Sequence, residues 1–482
     1  MNKPHPLSLA SRRWAALRPW VLAGLAALPG LAAAYCEDPA GLADGRSQPR
    51  AGAASVPADR PFEASELFDG PAQGDAKAQL GSLVRQVLAA SNEVRAAEHA
   101  GRASYYEFDQ AEGAKRPVFS VNASVGAGQA RVLGATQSAG AQGDVGVKAS
   151  APLYDGGRLD RLSDWKRSLA EAGDNALGSM RERMVNEALG TVLDLNRYRL
   201  QVKVYQQYAG KMSCLVRSLE QIVANDRGRA SELLQARKSQ RQAEIAREEA
   251  LSQLRQADTR LRKLVANNVE PWGAVGVPLT EVPSLQSVTE RIQQSPDLRR
   301  LKLQAQALDS YAAAAQADAK PKVNWEVGSG ASRQSQTTAG NWSAGVKVTY
   351  VIDDGGVTKS ASSAAQERAY AAKRDYEALL SERLKLAGTF YEAATNAFSR
   401  ARQYAEVLKD SDLVRNATYE QWARLGRRSL FDLMSAESEH YQLRVAYLNA
   451  LHDGFTATAQ LRSIGQGLLP WMAPDLALTK LR

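Results

Sequence analysis

One pattern, written twice about 200 residues apart, constrains this 482-residue chain more than any other feature. Ala151-Pro-Leu-Tyr-Asp-Gly-Gly-Arg158 and Tyr350-Val-Ile-Asp-Asp-Gly-Gly-Val357 each close an alternating run and open a long run with helical spacing. Their Gly doublets lie 199 residues apart (356 − 157). Upstream, Ser91-Asn-Glu-Val-Arg95 precedes Pro117 as Ser295-Pro-Asp-Leu-Arg299 precedes Pro321, at a constant offset of 204 (321 − 117). Such a period is a duplicated module, far longer than a solenoid repeat. After each proline, apolar and polar residues alternate: Phe119, Val121, Ala123 and Val125, then Val145, Val147, Ala149 and Ala151. Val323, Trp325 and Val327, then Trp342, Ala344, Val346 and Val348, repeat this. Period two with one apolar face predicts strands. Each copy therefore carries one hairpin, with Gly-, Ser- and Gln-rich loops expected over 127–143 and 329–341.

Past each doublet, apolar residues recur at spacings of three and four: Leu159, Leu162 and Leu169 in the first copy, Ala365, Ala369 and Ala372 in the second. No proline occurs between 153 and 270 or between 322 and 469. This predicts coiled-coil-like helices of about 70 residues, roughly 100 Å each, with return helices after Gly228 and Gly426. The resulting division is a signal segment 1–34, a leader 35–79, a first repeat 80–266, a linker 267–284, a second repeat 285–465 and a tail 466–482. The first repeat reads as helix 80–116, hairpin 117–154, long helix 156–225 and return helix 231–266. The second reads as helix 285–320, hairpin 321–352, long helix 355–424 and return helix 429–464.

Lys3, Arg12, Arg13 and Arg18 precede the apolar run Val21–Leu28 and the small residues Ala32-Ala-Ala34, the pattern of a cleaved secretory signal. The net charge of +9 falls to +5 without those four cations, too little to argue for nucleic acid. Two distant cysteines, Cys36 and Cys214, give no disulfide framework. Tyr35 before Cys36 argues against a lipid anchor, and Cys214 reads as packing in a helix. Beyond the signal no apolar run is long enough for a membrane helix, so any crossing must be made of strands. Four strands cannot close a barrel, for which about eight are the minimum. Three chains would pool twelve, with Tyr154, Trp325, Trp342 and Tyr350 placed as interfacial aromatics.

In this order of parts the chain resembles the TolC family of trimeric outer-membrane channel-tunnels over about residues 80–465. Two tip motifs add to the resemblance: Gly228-Arg-Ala-Ser-Glu-Leu-Leu-Gln-Ala236 and Gly426-Arg-Arg-Ser-Leu-Phe-Asp-Leu-Met-Ser-Ala436. It implies a mainly α fold with a membrane β-barrel, in which a homotrimer forms a 12-stranded barrel in outer-membrane lipid, continued as a 12-helix periplasmic α-barrel. It further implies an exit duct with no cofactor, opened by a periplasmic adaptor (membrane-fusion) protein and an inner-membrane transporter. The expected cargo route is type I protein secretion, with tripartite drug or small-molecule efflux as the alternative.

The resemblance places Arg428 at the gate arginine, Asp432 at an acidic ring, and Ser231 and Glu232 as partners of the gate. The second ring position is Ser435, and the aromatic gate position is Ala423 beside Trp422. Asp155, Gly156, Gly157, Asp354, Gly355 and Gly356 are the strand-to-helix joints. The four histidines show no metal spacing, and no acid, base or nucleophile set suggests an enzyme. A trimeric coiled-coil adhesin would carry one stalk and one terminal anchor, where this chain repeats internal hairpins.

Overall fold

A computed structural model of the chain describes residues 76–132, 135–266, 277–334, 337–465 and 467–477. The signal segment, Cys36, almost all of the leader and the first part of the linker lie outside them. The first repeat comprises α1 (Ala76–Ala90), α2 (Asn92–Gly113), β1 (Val118–Val132), β2 (Ala135–Tyr154), α3 (Arg158–Asn225) and α4 (Ala230–Leu264). The second comprises α5 (Leu285–Ile292), α6 (Pro296–Ala317), β3 (Lys322–Gln334), β4 (Thr337–Thr349), α7 (Val357–Ala423) and α8 (Leu430–Gly465), followed by α9 (Leu468–Met472) and α10 (Pro474–Ala477).

Three differences from the sequence reading have local causes. The helices expected over 80–116 and 285–320 are each split, because Ser91 and Ser295 take extended backbone and start a new helix, the second with Pro296 in its first turn. The stretches expected as loops continue as paired strands, since ladder hydrogen bonds are made by backbone and survive where side chains become small. The tail is built into the core: Leu468, Leu469 and Met472 of α9 are buried with Leu80, Leu83 and Val84 of α1. There the Glu182 carboxylate accepts from the N–H groups of Leu468 (2.5 Å) and Leu469 (3.0 Å), and burial pushes its pKa up against those donors. Cys214, expected as packing in a helix, is half-buried on α3.

The four strands form one antiparallel sheet in the order β1-β2-β3-β4, leaving β1 and β4 as open edges. The helices nearest the sheet follow the same order: α2 packs on α3, α3 on α6, and α6 on α7. In the far half, α3 pairs with α4 and α7 with α8, while α8 lies against α3. The seams of these pairs keep a strict heptad. Ala236, Ala243, Ala250 and Ala257 are buried along α4, and Ala387, Ala394, Ala401 and Leu408 along α7. A period of seven holds one face toward its partner, and alanine lets the helix axes approach closely. Among the described residues no helix is long and apolar enough to cross a membrane.

Candidate functional site: joints, helix tips and a buried charge layer

The joints are built alike in both repeats. Asp155 Oδ1 accepts from the Gly157 N–H (2.9 Å) and Oδ2 from the Leu159 N–H (2.6 Å). Asp354 does the same with Gly356 (3.0 Å) and Thr358 (2.7 Å), and also accepts from the Thr358 hydroxyl. These bonds, the Thr358 hydroxyl first, hold the Asp354 carboxyl below its ordinary pKa. Each aspartate thus satisfies amide donors at a helix start that no intrahelical carbonyl can reach. Gly156, Gly157, Gly355 and Gly356 have φ of 70°, 83°, 67° and 85°, left-handed backbone that L side chains resist. At Gly157, Gly355 and Gly356 an added Cβ would meet nothing within 4 Å, so backbone conformation alone requires glycine there. Gly156 carries a second restriction, because its Cβ would lie 2.5 Å from the Lys320 side chain.

Above the joints, one face of the sheet is an exposed apolar row that includes Phe119, Val121, Val125, Trp342 and Val346. The other face is polar and carries the Lys148–Glu326 ion pair (3.0 Å). An apolar sheet face of this extent needs lipid or protein against it.

At the opposite end, Arg428 and Asp432 lie on one tip, Ser231 and Glu232 on the other. Within the chain the two sets do not meet. Arg428 donates from Nε to Gln421 Oε1 (3.2 Å), and its guanidinium lies 3.9 Å from Asp432 Oδ2. Glu232 pairs with Arg229 (3.2 Å), and Ser231 is exposed. Asp432 has a local role that the resemblance did not suggest. Its carboxylate accepts from the Ser429 N–H (3.2 Å), while its own N–H donates to Ser429 Oγ (3.1 Å). Ser429-x-x-Asp432 is therefore a capping box that starts α8, and this spacing was readable in the sequence.

Sequence reasoning missed a layer of buried charge two to five turns from the tips. Lys211 of α3 lies 3.8 Å from Glu437 of α8, and Glu437 lies 3.6 Å from Arg415 of α7. Arg415 reaches Asp412 (3.3 Å), which lies 3.5 Å from His440 Nε2, and His440 Nδ1 meets Ser411 Oγ (3.3 Å). Apolar layers flank it: Val204, Leu408 and Leu448 on one side, Met212, Leu215 and Leu433 on the other. The signal was present, because Arg415 falls seven residues past Leu408, on the same heptad seam.

Residues 288–465 match the family model described as outer membrane efflux protein. No curated protein sequence matches the chain. Solved structures share its fold over most of their length. The outer-membrane channel OprN superposes with a TM-score of 0.72 at 20% identity, over 88% of this chain and 98% of that one. A membrane protein from Pseudomonas aeruginosa gives 0.74 at 16%, over 86% and 99%. The open state of the MtrE outer membrane channel of Neisseria gonorrhoeae gives 0.71 at 16%, over 87% and 97%. The family match covers 178 of the 482 residues, within the second repeat, and over the rest of the chain the likeness to these channels is one of fold.

Proposed function

We propose that three copies close their sheets into one 12-stranded outer-membrane barrel and their helices into one periplasmic tunnel, the exit duct of a tripartite assembly with an adaptor and an inner-membrane transporter. The observation that carries this reading is the four-stranded sheet itself. It has one apolar exposed face, one polar face and two unpaired edges, and it stands directly above a wall of long helices. In a bilayer, unpaired strand edges are untenable unless a barrel closes.

Small-molecule efflux is the better-supported cargo, because the family matched by residues 288–465 is described by efflux. Type I protein secretion, expected from Tyr35 beside Cys36, is the second reading. A deletion strain separates them: hypersensitivity to dyes and antibiotics supports efflux, and loss of a secreted protein at normal sensitivity supports secretion. At the entrance, Arg428 at one tip engages Ser231 or Glu232 of a neighbouring copy in the closed state. Purified trimer in a planar bilayer tests the reading: Arg428→Ala should raise single-channel conductance. A soluble monomer, or a trimer that does not conduct, sinks the duct; equal conductance in the variant sinks the gate assignment.

A further inference from the structure

We propose that the edges β4 and β1 of neighbouring copies pair in one register, in which facing residues have numbers summing to 471, and that the joint beneath β4 is bolted by the end of the neighbour's α2. This rests on the closed-barrel reading and specifies how that closure is made.

The argument runs from the internal repeat. Within the chain, β2 pairs with β3 so that partners sum to 476, for example Val147 with Ser329. The offsets are 199 from β2 to β4 and 204 from β1 to β3. The two hairpins check both values independently. Val118 faces Ser150, a sum of 268, and Lys322 faces Thr349, a sum of 671; the difference, 403, is 199 + 204. Carrying the β2–β3 register onto β4 and the next copy's β1 gives 476 + 199 − 204 = 471. Val346 then faces Val125, Val348 faces Ala123 and Thr349 faces Asn122.

Three sets of residues agree with this register. Gly146 faces Gly330 where β2 and β3 approach closely, and a Cβ on Gly330 would lie 3.1 Å from the Val145 carbonyl oxygen. The transferred pair is Gly345 with Gly126, again two glycines. At the first joint, Arg158 Nε bonds Asp318 Oδ1 at 2.9 Å. The transferred pair is Val357 with Ala114, so both partners change together from charged to apolar. Val357 is 68% exposed in the single chain and gains cover from the neighbour. Lys320 donates to the Gly156 carbonyl (3.2 Å), and its counterpart Arg116 keeps the cation for the Gly355 carbonyl. One pair is not repeated: the diagonal Lys148–Glu326 ion pair transfers to Lys347 and Asn122, which leaves Lys347 diagonal to a neutral partner at the boundary.

Directly facing strand residues have Cα atoms about 4.5–5.5 Å apart, within the Cα separation that a disulfide spans. The test is oxidative cross-linking of purified trimer, read on non-reducing gels. Val125→Cys/Val346→Cys should cross-link chains at least about fivefold more than Val121→Cys/Val346→Cys, whose sites lie four residues, about 13 Å, out of register. Preference for the second pair, or no cross-link in an intact trimer, overturns the register and leaves the duct standing. A chain that stays monomeric by light scattering overturns both. At the joint, Ala114→Asp should lower the melting midpoint of the trimer, and adding Val357→Arg should restore it by recreating the Arg158–Asp318 pair between copies. A double variant no more stable than the single one overturns the joint contact.

Discussion

The two ends of the long helices follow different rules. At the joints the repeats share one backbone design, with the same aspartate, the same two left-handed glycines and the same pair of accepted N–H groups. Near the tips they are not. Lys211 corresponds to Asp410, Arg415 to Val216 and Glu437 to Ser239, so the charge layer that ties α3 to α7 and α8 has no copy in the other repeat. A closed barrel needs every strand-to-helix transition to take the same backbone path around its ring. A helical entrance that changes shape does not need this equivalence, and helix pairs held by unlike contacts need not move alike. The joints therefore read as a symmetric frame, and the region below as the part in which one helix pair is distinguished from the other.

The largest effect should come from breaking that layer. Glu437→Leu leaves Lys211 and Arg415 buried without their shared carboxylate, and removing one partner of a buried pair typically destabilises by about 3–5 kcal/mol. Ser239→Leu, at the corresponding site on α4, should change little. Thermal unfolding of the two variants compares the repeats directly, and equal midpoints would remove the distinction.

His452 sharpens the comparison between the two repeats, because Leu254 holds its place in the first. Burial lowers the His452 pKa to about 4, partly offset by the bond to the Leu448 carbonyl (2.9 Å). The ordinary value near 6.5 returns on unfolding, so between these values the unfolded chain binds more protons. Stability should therefore be full above about pH 6.5, fall as pH drops toward 4 and level off below, a loss of about 3 kcal/mol per chain. His452→Leu should flatten this slope in a pH series of denaturant melts. An unchanged slope would place the sensitivity elsewhere.

These contrasts also show what the sequence made legible. Duplicated Asp-Gly-Gly stretches announce the joints because φ above zero leaves little choice but glycine, and alternation announces the sheet. Helix breaks at Ser91 and Ser295 were hidden by flanking Ala-rich runs, although a serine cap and Pro296 were visible. The charge layer was hidden for a different reason. Lys211 lies more than 200 residues from Asp412 and Glu437, and only packing of α3 on α8 brings it to them. Arg428 shows the converse: a resemblance named its partners, yet within the chain it bonds its own tip.

A moderate effect is expected at the joints. Gly356→Ala forces an L side chain into left-handed backbone with open space around it, for about 1–2 kcal/mol. Gly156→Ala bears the same conformational strain and also displaces Lys320, so it should destabilise more. Equal losses at the two sites would mean that Lys320 moves aside freely and that the joints are equivalent in packing as well as in backbone.

The smallest change in stability should accompany the most informative change at the tips. Asp432 of the second tip corresponds to Leu234 of the first, so a carboxylate ring can come from only one of the two. Asp432→Asn keeps an oxygen that can accept from the Ser429 N–H, and the variant should melt within about 0.5 kcal/mol of the parent. It removes the charge, however. If Asp432 lines the entrance, block of single-channel current by multivalent cations should weaken, since a ring of carboxylates at a narrow axis concentrates cations. If block is unchanged while Asp432→Ala melts lower, Asp432 acts only as the cap of α8, and the acidic entrance must be sought among other residues of the second tip.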